Sequence, residues 1–173
     1  LQDALDLTVS GEGDQVWIAT GVYYPDKGQN VQLKDYSATF IIKNQVALFG
    51  GFEGNEDSLE TRDWNKNKTR LSGSIETRTS GSINPSFQYS LNVCTIEPNN
   101  NGAMINLDGL TISEGMGSIG GAVQCGNFDQ VNATNCTFSN NSAQIGGVAA
   151  QGIWTATNCT FSNNSAQIGG VAA

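Results

Sequence analysis

The chain has 173 residues and a formal net charge of −8, with 8 lysine and arginine residues, 16 aspartate and glutamate residues and no histidine. The missing histidine excludes Ser-His and Cys-His nucleophiles, an imidazole general base and histidine-ligated metals. The acidic balance argues against a nucleic-acid-binding protein, because affinity for phosphate backbones depends on clustered lysine and arginine.

The first predicted element is a short amphipathic helix, in which Leu1, Ala4 and Leu5 have helical spacing. A break at Ser10-Gly11 separates this helix from the first predicted strand. We expect the helix to shield the end of a β core. The predicted strands of the first half cover residues 16–19, 38–42, 46–49 and 69–72, and the polar loop 53–68 lies between the last two.

An internal repeat is the most informative feature of the second half. Residues 133–150 recur unchanged at 156–173, so the period is 23 residues. A weaker copy lies upstream, where residues 110–113 precede their counterparts by 26 residues. Such periods are typical of leucine-rich repeats, helical solenoids and β-solenoids.

The local pattern of the repeat decides among these folds. Polar and apolar residues alternate over 135–139, which predicts a strand with Cys136 and Phe138 pointing inward. Asn-Asn and Gly-Gly pairs follow where strands must turn. Strong helix formers are nearly absent, which excludes helical solenoids. The sequence therefore predicts an all-β fold, a parallel β-helix with one rung per 23 to 26 residues.

In this fold, equivalent residues of successive rungs form ladders with a spacing of about 4.8 Å. Leucine and cysteine, isoleucine and phenylalanine are predicted inside, threonine outside, and asparagine at a turn. The predicted ladders are Leu110, Cys136 and Cys159; Ile112, Phe138 and Phe161; Thr111, Thr137 and Thr160; and Asn140 with Asn163.

The distribution of charge agrees with stacked rungs. The last 95 residues contain no positive charge, and Asp129 is the only charged side chain after Gly115. Like charges at equivalent positions would lie about 4.8 Å apart and repel each other. No apolar run approaches the roughly 18 residues that a transmembrane helix needs.

We therefore divide one continuous domain into two parts. Residues 1–104 contain the cap, the first rungs and the long polar loop 53–68, and residues 105–173 contain the regular rungs. The last repeat reaches Ala173 directly after a Gly-Gly turn, without a capping segment. This predicts either a fragment of a longer protein or an open-ended subunit.

Several motifs resemble those of secreted bacterial parallel β-helix proteins. The order LQDALDL, DQVWIATGVYYPD, TFIIKNQVALFGGFEGNEDSLETRDW, TRLSGSI and LDGLTISEG is similar to their N-terminal halves. The motif FSNN with GGAV or GGVA resembles the FxxN and GGA[ILV] repeats of polymorphic outer-membrane adhesins and autotransporter passengers. The resemblance implies a right-handed β-helix with a short N-terminal capping helix, an extracellular or cell-surface location, and a role in display, adhesion or scaffolding.

The cysteines have no metal-site spacing, and we interpret Cys136 and Cys159 as inward-facing apolar residues. A stacked pair is slightly too wide for a disulfide. A disulfide between Cys94 and Cys125 is left open.

The acidic residues of the repeat region are the candidates for polysaccharide chemistry, because β-helix lyases and hydrolases act through carboxylates. Asp108, Glu114 and Asp129 have no lysine or arginine beside them in the sequence, which favours solvated or turn-forming carboxylates. The loop 53–57 offers oxygen ligands for calcium, but it is more typical of a solvated acidic loop. Trp64 is either an aromatic platform for a sugar or a side chain that packs over the core.

We expect a non-catalytic extracellular structural or surface protein, a β-solenoid module of an adhesin or of a self-assembling fibre. The alternative is a carbohydrate-binding or carbohydrate-processing β-helix whose catalytic rungs lie outside this chain. No catalytic, cofactor-binding or metal-binding residues are expected. The expected partners are further copies that stack end to end, a surface glycan or a host ligand, with neither nucleic acid nor a transmembrane segment.

Overall fold

A computed structural model of the chain describes residues 1–29, 31–75, 89–97 and 102–171. Strands predominate in this part of the chain, which contains one α-helix and one short 3-10 helix. The elements are α1 (Gln2–Leu7), β1 (Gln15–Ala19), β2 (Gly21–Tyr23), β3 (Phe40–Ile42), β4 (Ala47–Phe52), the 3-10 helix (Leu59–Thr61), β5 (Thr69–Ser72), β6 (Cys94–Ile96), β7 (Met104–Asp108), β8 (Leu110–Ser113), β9 (Val123–Gln124), β10 (Gln130–Thr134), β11 (Thr137–Ser139), β12 (Ser142–Ile145), β13 (Ala149–Ala150), β14 (Ile153–Thr157), β15 (Thr160–Ser162) and β16 (Ser165–Ile168).

These strands form four sheets, and all their pairings are parallel. Sheet A has the order β1-β4-β7-β10-β14, sheet B has β2-β5-β8-β11-β15, sheet C has β3-β6-β9-β13, and sheet D has β12-β16. Consecutive strands thus lie in different sheets, and the chain visits the sheets repeatedly in the same order. We call each return a pass. The five described passes span residues 15–42, 47–96, 104–124, 130–150 and 153–168.

Sheets A, B and C contribute side chains to one apolar core. Ile105 of β7, Ile112 of β8 and Val123 of β9 are all fully buried in it. In β7 buried and exposed residues alternate, as expected for a strand with one face toward the core. The core is continuous across the predicted boundary between residues 104 and 105, which falls within β7.

Helix α1 lies against the first pass. Leu5 is fully buried in the core, and the side-chain oxygen of Gln2 accepts a hydrogen bond from the backbone N–H of Ile41 at 3.0 Å. The ammonium group of Lys43 donates to the carbonyl oxygen of Asp6 at 3.0 Å, close to the end of the helix. The helix therefore covers apolar side chains of the first pass and satisfies a backbone donor of β3.

Left-handed residues mark the bends between sheets. Asn135 and Asn158 precede β11 and β15 with φ of 53° each, and Asn140 and Asn163 follow these strands with φ of 56° and 53°. Asparagine tolerates this conformation better than most residues do, because its short side chain can form local hydrogen bonds. The repeated asparagines therefore provide the bends of the fourth and fifth passes.

The prediction of a mostly β chain with parallel sheets and one short N-terminal helix is confirmed. Strand β5 has the predicted bounds. Sequence reasoning missed β7, β10 and β14, although their residues alternate in the same way as those of β11. The predicted open end at Ala173 lies outside the described residues.

Candidate functional site: the outer edge of the last pass

The last described pass forms the final strand of three sheets. Strands β14, β15 and β16 lie at one end of sheets A, B and D. We call this surface, made of the three strands and residues 169–171, the outer edge. Its sequence repeats that of the fourth pass, so each residue from 156 to 171 has an identical counterpart 23 positions earlier.

The strand register aligns several of the predicted ladders. Thr111, Thr137 and Thr160 are paired across β8, β11 and β15. The same register aligns a core ladder of Ile112, Phe138 and Phe161. The rings of the two phenylalanines stack, with centroids 5.2 Å apart and planes 10° apart.

The second apolar ladder contains Leu110, Cys136 and Cys159. Leu110 and Cys136 are each 1% exposed, whereas Cys159 is half-buried. The backbone N–H of Thr160 donates to the carbonyl oxygen of Cys136 at 2.8 Å, as the parallel register requires. The sulfur of Cys159 thus lies where the core meets the outer edge.

Residues with the same sequence differ in exposure between the two passes. Phe138 is fully buried, whereas Phe161 is 36% exposed. Val148 is 1% exposed, whereas Val171 is 42% exposed. The difference arises because the fifth pass covers the fourth, while no described strand covers the fifth.

Side-chain amides one residue beyond the predicted Asn140 and Asn163 join the two passes, and Asn158 also joins them by donating to Oδ1 of Asn135 at 2.6 Å. Asn141 is fully buried, and its Nδ2 donates to Oδ1 of Asn164 at 3.1 Å. The Oδ1 of Asn141 accepts from the backbone N–H of Gly115 at 3.0 Å. No side-chain hydrogen bond links Asn140 to Asn163 among the described residues, since both serve the bend through their backbone. The second asparagine of each pair therefore provides the hydrogen-bonded ladder.

Backbone N–H groups of the fourth pass show which hydrogen bonds their counterparts at the outer edge are placed to donate. The N–H groups of Asn135, Asn140 and Gly146 donate to carbonyl oxygens of the fifth pass at 3.0, 3.1 and 2.9 Å. Their counterparts are Asn158, Asn163 and Gly169. Within the described ranges, no backbone carbonyl accepts from these three N–H groups. The outer edge therefore presents donors in the pattern that the fourth pass uses.

The four cysteines are all free thiols, including Cys94 and Cys125. Burial raises the pKa of the Cys94 thiol to about 12, which makes it unreactive near neutral pH. The interaction with the neighbouring Cys136 thiol lowers the pKa of Cys159 to about 6. Cys159 is therefore the cysteine with the most thiolate character at neutral pH.

Two of the acidic candidates lie in ion pairs that the sequence does not reveal. Asp108 contacts Arg62 at 2.7 Å, and the arginine side chain is only 6% exposed. Glu114 contacts Arg70 at 2.7 Å and accepts a hydrogen bond from the Ser72 hydroxyl at 2.6 Å. Both arginines belong to the preceding pass, so the absence of a neighbouring basic residue in the sequence is misleading here.

Other acidic side chains bind backbone N–H groups. The carboxylate of Asp129 is buried and accepts from Ala103 and Gly126 at 2.9 and 2.6 Å. In the candidate calcium loop, Glu56 accepts from Glu53 at 2.6 Å and from Gly54 at 2.8 Å. These hydrogen bonds, chiefly that from Glu53, lower the pKa of Glu56. These carboxylates thus serve local structure.

Trp64 packs beside the cation of Arg62, whose guanidinium lies 4.9 Å from the ring centroid. The ring also borders a polar groove of about 260 Å³ between the loop 53–68 and sheet B. Hydroxyl and amide side chains of the two repeated passes line its far side, among them Asn158 and Thr160. Trp64 therefore combines a packing role with a position at the rim of this groove.

Neither a metal site nor a membrane span emerges from the part of the chain that the structure describes. Its cysteine, aspartate and glutamate side chains form no group of three or more suited to a metal ion. Its helices include none that is long and apolar enough to cross a membrane. Comparison with known proteins gives no match: no family model fits the chain, and no curated protein or solved structure is significantly similar to it.

Proposed function

We propose that the chain is a right-handed parallel β-helix that serves as a non-catalytic structural module of an extracellular or cell-surface protein, such as an adhesin or a fibre. One observation carries this proposal: the repeated residues 133–145 and 156–168 are neighbours in sheets A, B and D, in a register of 23 positions. A sequence that pairs with its own copy can be extended by adding copies.

The topology and the composition support this proposal. Parallel strands in one sheet joined by crossover connections are right-handed in about 98% of cases. The repeated passes contain no charged side chain after Asp129, so further copies would stack without repulsion between like charges. The FSNN and GGVA motifs, which resemble those of secreted adhesins, support the extracellular location.

The contacts that the carboxylates make with arginines and backbone N–H groups support a non-catalytic role. A glycosidase needs two carboxylates beside the scissile bond, and a metal-dependent lyase needs open oxygen ligands. Asp108 and Glu114 are held by arginines, and Asp129 is held by backbone N–H groups. All three carboxylates are thus engaged by other groups of the protein.

A series of lengthened chains tests the architecture. One, two or three extra copies of residues 151–173 are inserted after Ala150. Each copy should lengthen the particle by about 4.8 Å, which small-angle X-ray scattering measures as a regular increase in maximum dimension. The control copy carries aspartate in place of Phe161 and Cys159. Irregular growth, or equal growth with the control copy, would contradict a β-helix.

An assay on neutral and acidic polysaccharides tests the absence of catalysis. We expect neither new reducing ends nor unsaturated products from the wild-type chain. An activity that is lost in Asp108→Asn or Glu114→Gln would overturn the non-catalytic proposal.

The polar groove favours a second candidate function, the binding of a carbohydrate. Its aromatic rim at Trp64 and its amide and hydroxyl lining are groups that recognise sugars. A glycan array tests this candidate. Retention of a glycan that Trp64→Ala abolishes, but Trp17→Ala leaves unchanged, would support it, because Trp17 is exposed on β1 away from the groove.

A further inference from the structure

We propose that Cys136 and Cys159 form a modification site, at which oxidation of the two thiols creates a disulfide that links the fourth pass to the fifth. The inference goes beyond the proposed structural module, because it assigns a covalent bond and its redox chemistry to two side chains. It takes its oxidant from the proposed extracellular location, since disulfides form and persist in oxidising compartments.

The strand register places the two cysteines opposite each other. The last residue of β10 pairs with the last residue of β14, and the first residue of β11 pairs with the first residue of β15. Cys136 lies between β10 and β11, and Cys159 lies at the equivalent position between β14 and β15. Neighbouring strands are about 4.8 Å apart. This spacing lies within the range of about 4.4–6.8 Å that the Cα atoms of disulfides span.

The sulfur of Cys159 points towards the pass that contains Cys136. It lies 3.4 Å from the carbonyl oxygen of Ala133, which belongs to the fourth pass. The Cys136 sulfur lies 3.5 Å from the carbonyl oxygen of Leu107 in the third pass. A disulfide therefore requires Cys136 to turn towards the fifth pass. Such a change between staggered rotamers gives up only weak thiol hydrogen bonds.

The two thiols already interact in the reduced chain. Each shifts the pKa of the other: the interaction raises the pKa of Cys136 and lowers the pKa of Cys159 to about 6. The side chain of Asn158 donates to Oδ1 of Asn135 at 2.6 Å, directly before the two cysteines. The bends that carry the thiols are thus held together.

The bend also provides the adjustment that a disulfide needs. The strand spacing is slightly wider than the Cβ separation of about 3.8 Å that disulfides prefer. Neither cysteine belongs to a strand, and each follows an asparagine with a φ of 53°. A small shift of the backbone at the bend can therefore shorten the Cβ separation without breaking a strand pairing.

The other two cysteines do not form such a pair. The register places Val123 opposite Cys94, and Cys125 lies two residues farther along the chain. Diagonal neighbours of this kind are about 7–8 Å apart. Cα atoms more than about 7 Å apart cannot be joined by a disulfide without movement of the backbone. The proposed bond is therefore specific to Cys136 and Cys159.

The oxidant is a small-molecule disulfide such as oxidised glutathione. The thiolate of one cysteine attacks a sulfur of the oxidant and forms a mixed disulfide, and one glutathione leaves as a thiolate. The thiolate of the other cysteine attacks the protein sulfur of the mixed disulfide, and the second glutathione leaves. Two protein thiols are thus oxidised to one disulfide, while one oxidised glutathione accepts their electrons and protons and becomes two thiols. Because Cys136 is buried, we expect this exchange to accompany folding.

The test refolds the whole reduced chain from urea in a glutathione redox buffer. The remaining thiols are blocked with N-ethylmaleimide in urea, and the chain is digested with chymotrypsin without reduction. Mass spectrometry should find the peptides of Cys136 and Cys159 joined, since Phe138 and Trp154 provide cleavage sites between them. Only the other two cysteines should carry the blocking group. A chain without the joined peptides, or with glutathione alone on either cysteine, would overturn the inference.

The equilibrium constant for oxidation by glutathione gives the expected magnitude. It should be about a hundredfold greater for the folded chain than for the same chain in urea, because a disulfide that fits the fold stabilises it. Equal constants would show that the fold does not bring the two thiols together, and would contradict the proposal.

Two variants separate this pair from unspecific oxidation of cysteines. Cys125→Ala should form the disulfide as the wild type does. The double variant Cys159→Ala with Thr160→Cys keeps the number of cysteines but moves one thiol to a position beside the inward-facing Phe161. Successive side chains of a strand point to opposite faces. The constant should therefore fall at least tenfold. An unchanged constant in the double variant, or loss of the disulfide in Cys125→Ala, would contradict the assignment.

Failure of this test differs from failure of the proposed function. If no disulfide forms while the lengthened chains grow regularly, the modification site is rejected and the β-helix module stands. If the disulfide forms while the lengthened chains fail to grow, the pairing of the two cysteines stands and the module is rejected.

Discussion

The first and last passes differ in how their apolar side chains are covered. In the first pass, Val16 and Ile18 of β1 are at most 9% exposed, and Leu5 of helix α1 is buried in the same core. In the last pass, Phe161 and Val171 remain 36% and 42% exposed. A separate, non-repeating helix thus packs at one end of the core, while the side chains of the last described pass are only partly covered by the strands that the structure describes.

The phenylalanine pair gives the largest expected contrast between covered and uncovered passes. Phe138→Ala should lower the free energy of unfolding by about 3–5 kcal/mol, since it empties a fully buried site. Phe161→Ala should cost about 1–2 kcal/mol, because part of that ring already contacts solvent. Urea denaturation followed by circular dichroism measures both values. Equal costs would show that the fifth pass is covered in solution.

The capping helix tests the closed end. Leu5→Ala should destabilise the protein by about 2–5 kcal/mol, because Leu5 fills the core against the first pass. Leu7→Ala is the control on the same helix, since Leu7 is 84% exposed, and it should change the stability by about 0.5 kcal/mol or less. Thermal and urea unfolding measure the stability of both variants. A similar stability for both would mean that α1 does not close this end.

The asparagine ladder tests the polar side of the same comparison. Asn141→Ala should cost about 1–3 kcal/mol, because it leaves the buried N–H of Gly115 without its acceptor. Asn164→Ala should cost about 1 kcal/mol, since water can replace its hydrogen bonds at the outer edge. Unfolding in urea compares them. A larger loss for Asn164 would contradict the greater burial of the fourth pass.

The thiols are expected to differ clearly in their rate of alkylation. Changes at the thiols should have the smallest effect on stability. The pKa of Cys159 is lowered to about 6, so its thiolate forms as the pH rises through that value. Alkylation by iodoacetamide should therefore be slow at pH 5 and fast at pH 7, whereas Cys94 should stay unmodified in the folded chain. Mass spectrometry of the digested protein identifies the site.

The control for this prediction is Cys136→Ala. It removes the neighbouring thiol, so the pKa of Cys159 should return toward its ordinary value and alkylation at pH 7 should slow. An unchanged alkylation rate in Cys136→Ala would contradict the Cys136 thiol as the cause of the lowered pKa.

Local patterns predicted much of the secondary structure and the inward positions of the repeat. Strands β5 and β8 and the inward side chains Cys136 and Phe138 follow from the alternation of apolar and polar residues. The same signal was present in β7 and β10, so these strands were predictable in principle. The sequence could not show whether Asn140 or Asn141 belongs to the hydrogen-bonded ladder, because only the bend decides which asparagine turns its amide inward.

The ion pairs of Asp108 and Glu114 were beyond sequence reasoning. Their partners Arg62 and Arg70 precede them by more than forty residues and approach only when β4 and β5 lie next to β7 and β8. A polar groove beside Trp64 likewise depends on how the loop 53–68 folds back toward sheet B.

The sequence by itself determined the period of the repeat, the strand pattern within it and the absence of charge along it, because these depend on residues close together in the chain. Only the tertiary structure decided which of two identical copies is buried. Residues 133–150 and 156–171 carry the same side chains, yet the first copy belongs to the core and the second forms a surface. The physical reason is that burial depends on the neighbouring strand, which only the fold supplies.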